Sequence, residues 1–93
     1  MSASPTIPEH VEYSVVDGKA LLLDTERGGS VELDAVGTTM WELIAEELDL
    51  EEILRRLLQI YDVDEETLRK DFHAFLVGLT ERGLLLPPQA EAD

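Results

Sequence analysis

Two hydrophobic rhythms divide this chain, and the switch between them falls at Leu33–Asp34. Before it, apolar residues recur at every second position. Val11, Tyr13 and Val15 alternate with Glu12 and Ser14, and Val31 and Leu33 alternate with Ser30 and Glu32. A period of two puts one set of side chains on one face of a strand. After the switch, apolar residues recur every three or four positions, as along one face of a helix.

The first rhythm predicts three strands. Asp17-Gly18 follows the first one directly, and both residues tolerate the positive φ of a two-residue hairpin turn. Ala20 to Leu23 is apolar throughout, as a central strand apolar on both faces. Glu26-Arg27-Gly28-Gly29 makes a second turn, and Ser30 to Leu33 a short third strand. Three antiparallel strands in chain order form a meander whose outer strands keep a free edge unless something covers it.

The second rhythm predicts three helices. Asp34 caps the first, from about Ala35 to Glu47, with Val36, Met40, Leu43, Ile44 and Leu48 as its apolar stripe and Trp41 beside it as core. Asp49 followed by Glu52 opens the second in the manner of a capping box. That helix runs to about Ile60 and buries Ile53, Leu54, Leu57, Leu58 and Tyr61, with Arg55 and Arg56 on a solvated face. Asp64 caps the third. Glu65 and Glu66 suit its first turn, Arg82 its last, and Gly83 ends it. Strands first and helices afterwards predict an α+β domain: an N-terminal three-stranded antiparallel sheet followed by a winged-helix-turn-helix-like bundle of three helices. The ordered domain is expected over 9–86. Residues 1–8, with Pro5 and Pro8, read as a flexible arm, and 87–93, opening on Pro87-Pro88, as a flexible tail.

Composition narrows the function. The 93 residues hold 7 Lys and Arg against 21 Asp and Glu, a formal charge of −14, and no cysteine. Thiolate chemistry is excluded, and so much negative charge opposes both a phosphate backbone and an anionic membrane surface. No apolar run approaches the ~20 residues of a membrane span. Met1 to Glu9 lacks the basic-then-apolar pattern of a secretory signal, so a cytoplasmic location is expected. His10 and His73 are isolated and make no metal set. Asp62 to Glu66 superficially suggests a calcium loop, but Thr67 stands where that loop needs Gly and His73 where it needs Glu. Gly28-Gly29 lacks the Lys-Ser/Thr of a phosphate loop. No serine has a paired base in view. A non-enzyme without cofactor or metal follows.

Three binding readings compete with one another. A winged-helix DNA-binding regulator fits the topology, but its recognition helix, Glu65 to His73, carries only Arg69 and Lys70 among acids. An acidic carrier protein would need an Asp-Ser pair opening a helix, and none exists. A structural adaptor docking through its acidic face stays open. The third helix suggests a further reading. On a wheel, Leu68, Phe72, Phe75 and Leu79 cluster within about 60°, while Thr67, Asp71, Ala74 and Gly78 lie on one flank at about 240–300°. A mid-helix Gly costs roughly 1 kcal/mol against Ala. Gly78 beside Ala74 therefore implies close packing, either on the chain's own first helix or sheet, or under a foreign backbone laid in a groove. A free edge on the third strand beside such a groove is the arrangement for β-augmentation. On this geometry Ser30, Val31, Glu32 and Leu33 supply backbone pairing, Asp71, Ala74, Phe75 and Gly78 line the helix side, Leu22 adds apolar wall, and Lys70 or Asp71 meets a polar group. Plain core roles for Val31, Leu33 and Phe75 are the alternative. The acidic surface favours a peptide or partner of basic character.

The run Leu33-Asp34, Gly37, Trp41, Leu43, then Tyr61-Asp62-Val63-Asp64, Asp71, Phe75-Leu76, Leu79 and Arg82-Gly83-Leu84-Leu85 resembles the PqqD-like family, the recognition elements of ribosomally made, post-translationally modified peptide pathways. The resemblance spans about 20–86. Leu23-Asp24, Gly28 or Gly29, Leu33, Gly37 and Trp41 are further similar to the stand-alone members of lasso-peptide pathways. Asp34 departs from the Asn those members often carry, and both residues cap helices. The resemblance implies a non-catalytic protein whose ligand is the leader of a precursor peptide, added to the third strand and lying against the third helix. It also implies a Tyr-x-x-Pro element in that leader whose side chains enter apolar pockets, and a separately encoded, cysteine-protease-like leader peptidase as recipient.

Overall fold

The computed structural model describes residues 4–87. Three strands, β1 (Val11–Val16), β2 (Lys19–Asp24) and β3 (Ser30–Glu32), precede three helices, α1 (Ala35–Ala45), α2 (Leu50–Ile60) and α3 (Glu65–Glu81). The sheet is antiparallel with β2 in the middle. Asp17 and Gly18 close the first hairpin at φ 55° and 76°, the left-handed pair that such a turn demands.

The alternation along β2 sets the core. Ala20, Leu22 and Asp24 are buried on the inner face, where α1 packs, while Leu21 and Leu23 stand 38% and 41% exposed on the outer face. The expectation of a central strand buried on both faces thus fails on the outer side, because the helices cover only one side of the sheet. Trp41, Ile44, Ile53, Leu57 and Leu85 complete the core with Leu22. The Trp41 and Tyr13 rings meet edge to face at 5.6 Å, a favourable aromatic geometry.

Each helix opens on an aspartate. Asp34 Oδ1 accepts from the Gly37 N–H and Asp49 Oδ1 from the Glu52 N–H, both at 2.8 Å, and Asp64 Oδ2 accepts from Glu66 and Thr67. Such a cap is worth about 1 kcal/mol. Glu52 does not complete the box, because its carboxylate takes Arg55 and Arg56 instead. α1 stops at Ala45, short of the expected Glu47. Glu47 sits at φ 66°, the left-handed kink that turns the chain toward the Asp49 cap. Val36 is exposed and lies outside the buried stripe. At the other end of α3, Leu84 N–H bonds Leu79 C=O and Gly83 N–H bonds Thr80 C=O, with Gly83 at φ 76°. This is a Schellman ending, and Leu79 and Leu84 are both buried under it.

The looseness expected of residues 1–8 does not extend to Thr6–Pro8. Thr6 and Leu86 exchange main-chain hydrogen bonds, Pro5 and Pro8 are buried, and Ile7 packs on the core. His10 Nε2 donates to Gly83 C=O at 3.0 Å. The apolar surface of Leu84–Leu86 gives this stretch something to cover. Residues 1–3 and 88–93, also read as loose, lie outside the described residues.

Two contacts hold β3 in position. The Asp24 carboxylate, buried at the end of β2, accepts from the N–H groups of Arg27 at 2.9 Å and Glu26 at 3.0 Å, fixing the β2–β3 turn. These bonds, that from Arg27 foremost, hold its pKa below the ordinary 3.8. A depressed carboxyl pKa adds stability above the unfolded value and loses it as pH falls through the folded one. At the far end of β3, a Cβ on Gly37 would stand 3.2 Å from both Phe75 Cε1 and Asp34 Oδ1 and 3.5 Å from Leu33 Cβ. The bare glycine is what lets the Phe75 ring approach α1.

Thermal melts of wild type and Asp24→Asn should differ at pH 7, and the gap should close as pH drops below 3.8; a gap that widens in acid contradicts this. Gly37→Ala should destabilise by up to about 2 kcal/mol, the ~1–3 of overpacking less the ~1 that Ala gains over Gly in a helix, and Phe75→Leu in the same chain should recover part of that loss in a denaturant titration. A raised midpoint for Gly37→Ala contradicts the contact.

Candidate functional site

The hydrogen-bond phase of β3 decides which of its groups face outward. Leu33 N–H donates to Ala20 C=O at 2.8 Å, and Val31 stands opposite Leu22. Bonded pairs alternate in an antiparallel ladder, so Val31 and Leu33 direct their main-chain groups to β2. The N–H and C=O of Ser30 and Glu32 point the other way, to the free edge. The expected pairing role therefore narrows from Ser30–Leu33 to Ser30 and Glu32. Val31 and Leu33 instead turn their side chains inward, half-buried and buried.

α3 stands across from this edge and runs in the opposite direction. At one end Leu33 and Phe75 meet over Gly37. At the other, Ser30 and Val31 share a hollow of about 220 Å³ with Arg82 and Leu84. Gly78 lies between these points on the α3 wall. A Cβ built on it finds nothing within 4 Å. The alternative that Gly78 serves close packing within the chain is thereby removed, and the flank is open space. Ala74 and Asp71 are exposed further along the same flank, beyond the Leu33 end, and Phe75 is half-buried at the floor.

Two expected residues are not brought to the cleft. Leu22 is 0% exposed beneath Val31 and belongs to the core, so it cannot form a wall that a ligand touches. Lys70 is exposed at about 160° from the buried stripe of α3, facing away from the core side of that helix. Conversely, the hollow at the Ser30 end, lined also by Asp24, Arg27 and Gly29, escaped the sequence reading. Its one legible sign was the pair of arginines next to turn glycines, Arg27-Gly28 and Arg82-Gly83.

Charge is distributed unevenly around the cleft. Arg55 and Arg56 are paired with Glu52, and Arg69 with Glu51 and Glu65. The bonds to Glu51 and then Glu65 raise the Arg69 pKa further. The first half of α3 therefore presents no free arginine. That is the opposite of a helix built to lie along phosphates. Among the described residues no cluster of three His, Asp or Glu is placed to hold a metal, and no helix is long and apolar enough to cross a membrane.

β1 offers a second free edge. Thr25 N–H donates to His10 C=O, so Tyr13 and Val15 direct their main-chain groups outward. The open flank of α3 and the 220 Å³ hollow, however, lie beside β3.

Comparison with known proteins agrees with this architecture. The profile of the family described as "Coenzyme PQQ synthesis protein D (PqqD)" matches residues 19–85. A solved structure described as "TbiB1 in Complex with the TbiA(beta) Leader Peptide" is similar over 95% of this chain and 99% of its own, with 32% identity and a TM-score of 0.83. Another, "Lasso peptide synthetase B1 complexed with the leader peptide", is similar over 91% and 100%, with 20% identity and a TM-score of 0.83. No curated protein gives a significant match. The matched region runs from the start of β2 through α3 to Leu85, and so takes in both walls of the cleft: the chain belongs to the PqqD family.

Proposed function

We propose that this protein binds the leader region of a ribosomally synthesised precursor peptide, of the lasso-peptide kind, as a strand added to β3 and lying against α3. One observation carries the reading. The outward main-chain groups of Ser30 and Glu32 stand beside a helix flank where Gly78 leaves the space empty. An incoming extended segment would pair with those two residues. Its alternate side chains would enter the gap above Val31, Phe75 and Gly78, with Ala74 and Asp71 at the margin. A relative 32% identical over nearly its whole length is itself described in complex with a leader peptide, which supports the same ligand here.

The role is non-catalytic. The bound leader is held for a separate cysteine-protease-like leader peptidase, the partner implied by the family resemblance. The encounter belongs in the cytoplasm, where ribosomes make the precursor. β-Augmentation suits such a task because main-chain bonds give affinity with little demand on sequence, and pockets add the selectivity.

A fluorescently labelled synthetic leader from the same pathway should bind with micromolar affinity or better. Gly78→Leu should fold normally, with its thermal midpoint unchanged or raised, since Leu favours a helix by roughly 1 kcal/mol over Gly. Binding should fall at least about tenfold, a loss of about 1.4 kcal/mol. A well-folded Gly78→Leu that binds the leader like wild type contradicts the cleft.

A further inference from the structure

The hollow at the Ser30 end of the cleft is lined by two arginines, Arg27 and Arg82, in a chain of charge −14. Arg27 is set there by the fold. Its guanidinium rests on Gly83, with Nη1 3.2 Å and Cζ 3.4 Å from where a Cβ would be, and Nη1 points to Arg82 C=O at 3.5 Å. Gly83 therefore serves twice, giving the left-handed helix ending and the flat seat for Arg27. The nearest carboxylate, Asp24, is 5% exposed. Its Oδ1 is engaged by two main-chain N–H groups, and its Oδ2 is 4.0 Å from Arg27 Nε. Arg82 makes no ion pair among the described residues. Val31 and Leu84 supply apolar surface to the same hollow.

We propose that this hollow is an anion-selective subsite of the cleft, which receives the carboxylate side chain of one Asp or Glu of the bound peptide, at the residue lying over the start of β3. The inference rests on the function proposed above and specifies its ligand. The methylene stem would lie on Val31 and Leu84, and the carboxylate would reach Arg27 and Arg82, whose planar forks match it. The rest of the acidic surface repels a negative peptide, so an acid is favoured at this one position and disfavoured elsewhere. That contrast makes the subsite a register mark: a strand slipped by one residue turns its side chains to the opposite face and loses the pair.

The test is a phage-displayed library of random dodecapeptides, selected in parallel on wild type, Arg82→Met, and Arg27→Met/Arg82→Met. Circular dichroism verifies that each variant is folded. Wild type should enrich Asp or Glu at one position held at a constant spacing from the other enriched positions. Both variants should keep those other positions and lose the acidic one. In a selected peptide, Glu→Gln at that position should weaken binding to wild type about tenfold and binding to the double variant less than twofold. Enriched peptides without an acidic position, or an acidic preference that survives in both variants, overturn the subsite and leave the cleft standing. If wild type enriches no peptide, both the cleft reading and the subsite fall. Arg82→Met leaves the Arg27 contact with Gly83 intact, so its result stands even if the double variant does not fold.

Discussion

β3 is three residues long and bonded along one side only. Strands so short have little stability of their own, and everything proposed for this molecule depends on β3 being held in place before a ligand arrives. Two aspartates do that. Asp24 gathers the preceding turn around its carboxylate, and Asp34 caps the helix that follows. Between them, Leu33 N–H reaches Ala20 C=O. Thr38 Oγ1 takes the Ala20 N–H at 2.7 Å, pinning α1 to the end of the same ladder. An edge fixed at both ends needs little ordering when a peptide joins it, and ordering is a principal cost of binding an extended segment.

The opposite wall is kept open by subtraction. Gly78 is the fourteenth residue of a 17-residue helix, and nothing among the described residues occupies the space of its missing side chain. Glycine there weakens the helix, and the chain compensates with the Asp64 cap, the Schellman ending and the Arg69 bridge from α3 to Glu51 of α2. The same logic governs charge. Arg55, Arg56 and Arg69 are paired with glutamates of α2 and α3, whereas Arg27, 4.0 Å from the Asp24 carboxylate, and Arg82 line the hollow where β3 begins and α3 ends. The molecule is acidic overall, and two of its seven Lys and Arg residues line one end of its cleft. Net charge alone favours a basic ligand and carries no information on where the arginines sit.

Much of the architecture was legible because it is written locally. The Asp17-Gly18 turn, the three aspartate caps and the Gly83 ending are each a few residues long and obey short-range rules. The change of hydrophobic period at Leu33–Asp34 separated sheet from helices correctly. What escaped the reading is non-local. Whether Leu21 and Leu23 are covered depends on how many layers pack on the sheet, and an apolar run cannot announce that. Leu22 and Val31 look alike as strand residues and face the same side of the sheet; only the place of their strands, central against edge, puts one in the core and leaves the other half-buried at the cleft. The Thr6–Leu86 pairing joins the two ends of the chain, and Arg27 meets Gly83 across 56 positions; no spacing rule reaches that far. On the helix wheel the small flank was visible, but not whether it was filled from within.

Strand addition requires Ser30 and Glu32 to offer their main-chain groups to a foreign strand, and amide hydrogen exchange followed by NMR observes those groups themselves. Adding the leader peptide should slow exchange of amides on the free edge of β3, Ser30 and Glu32 foremost, and leave Tyr13 and Val15 on β1 as fast as in the free protein. Protection that appears on β1 instead, or a saturated complex in which Ser30 and Glu32 exchange as before, would contradict it.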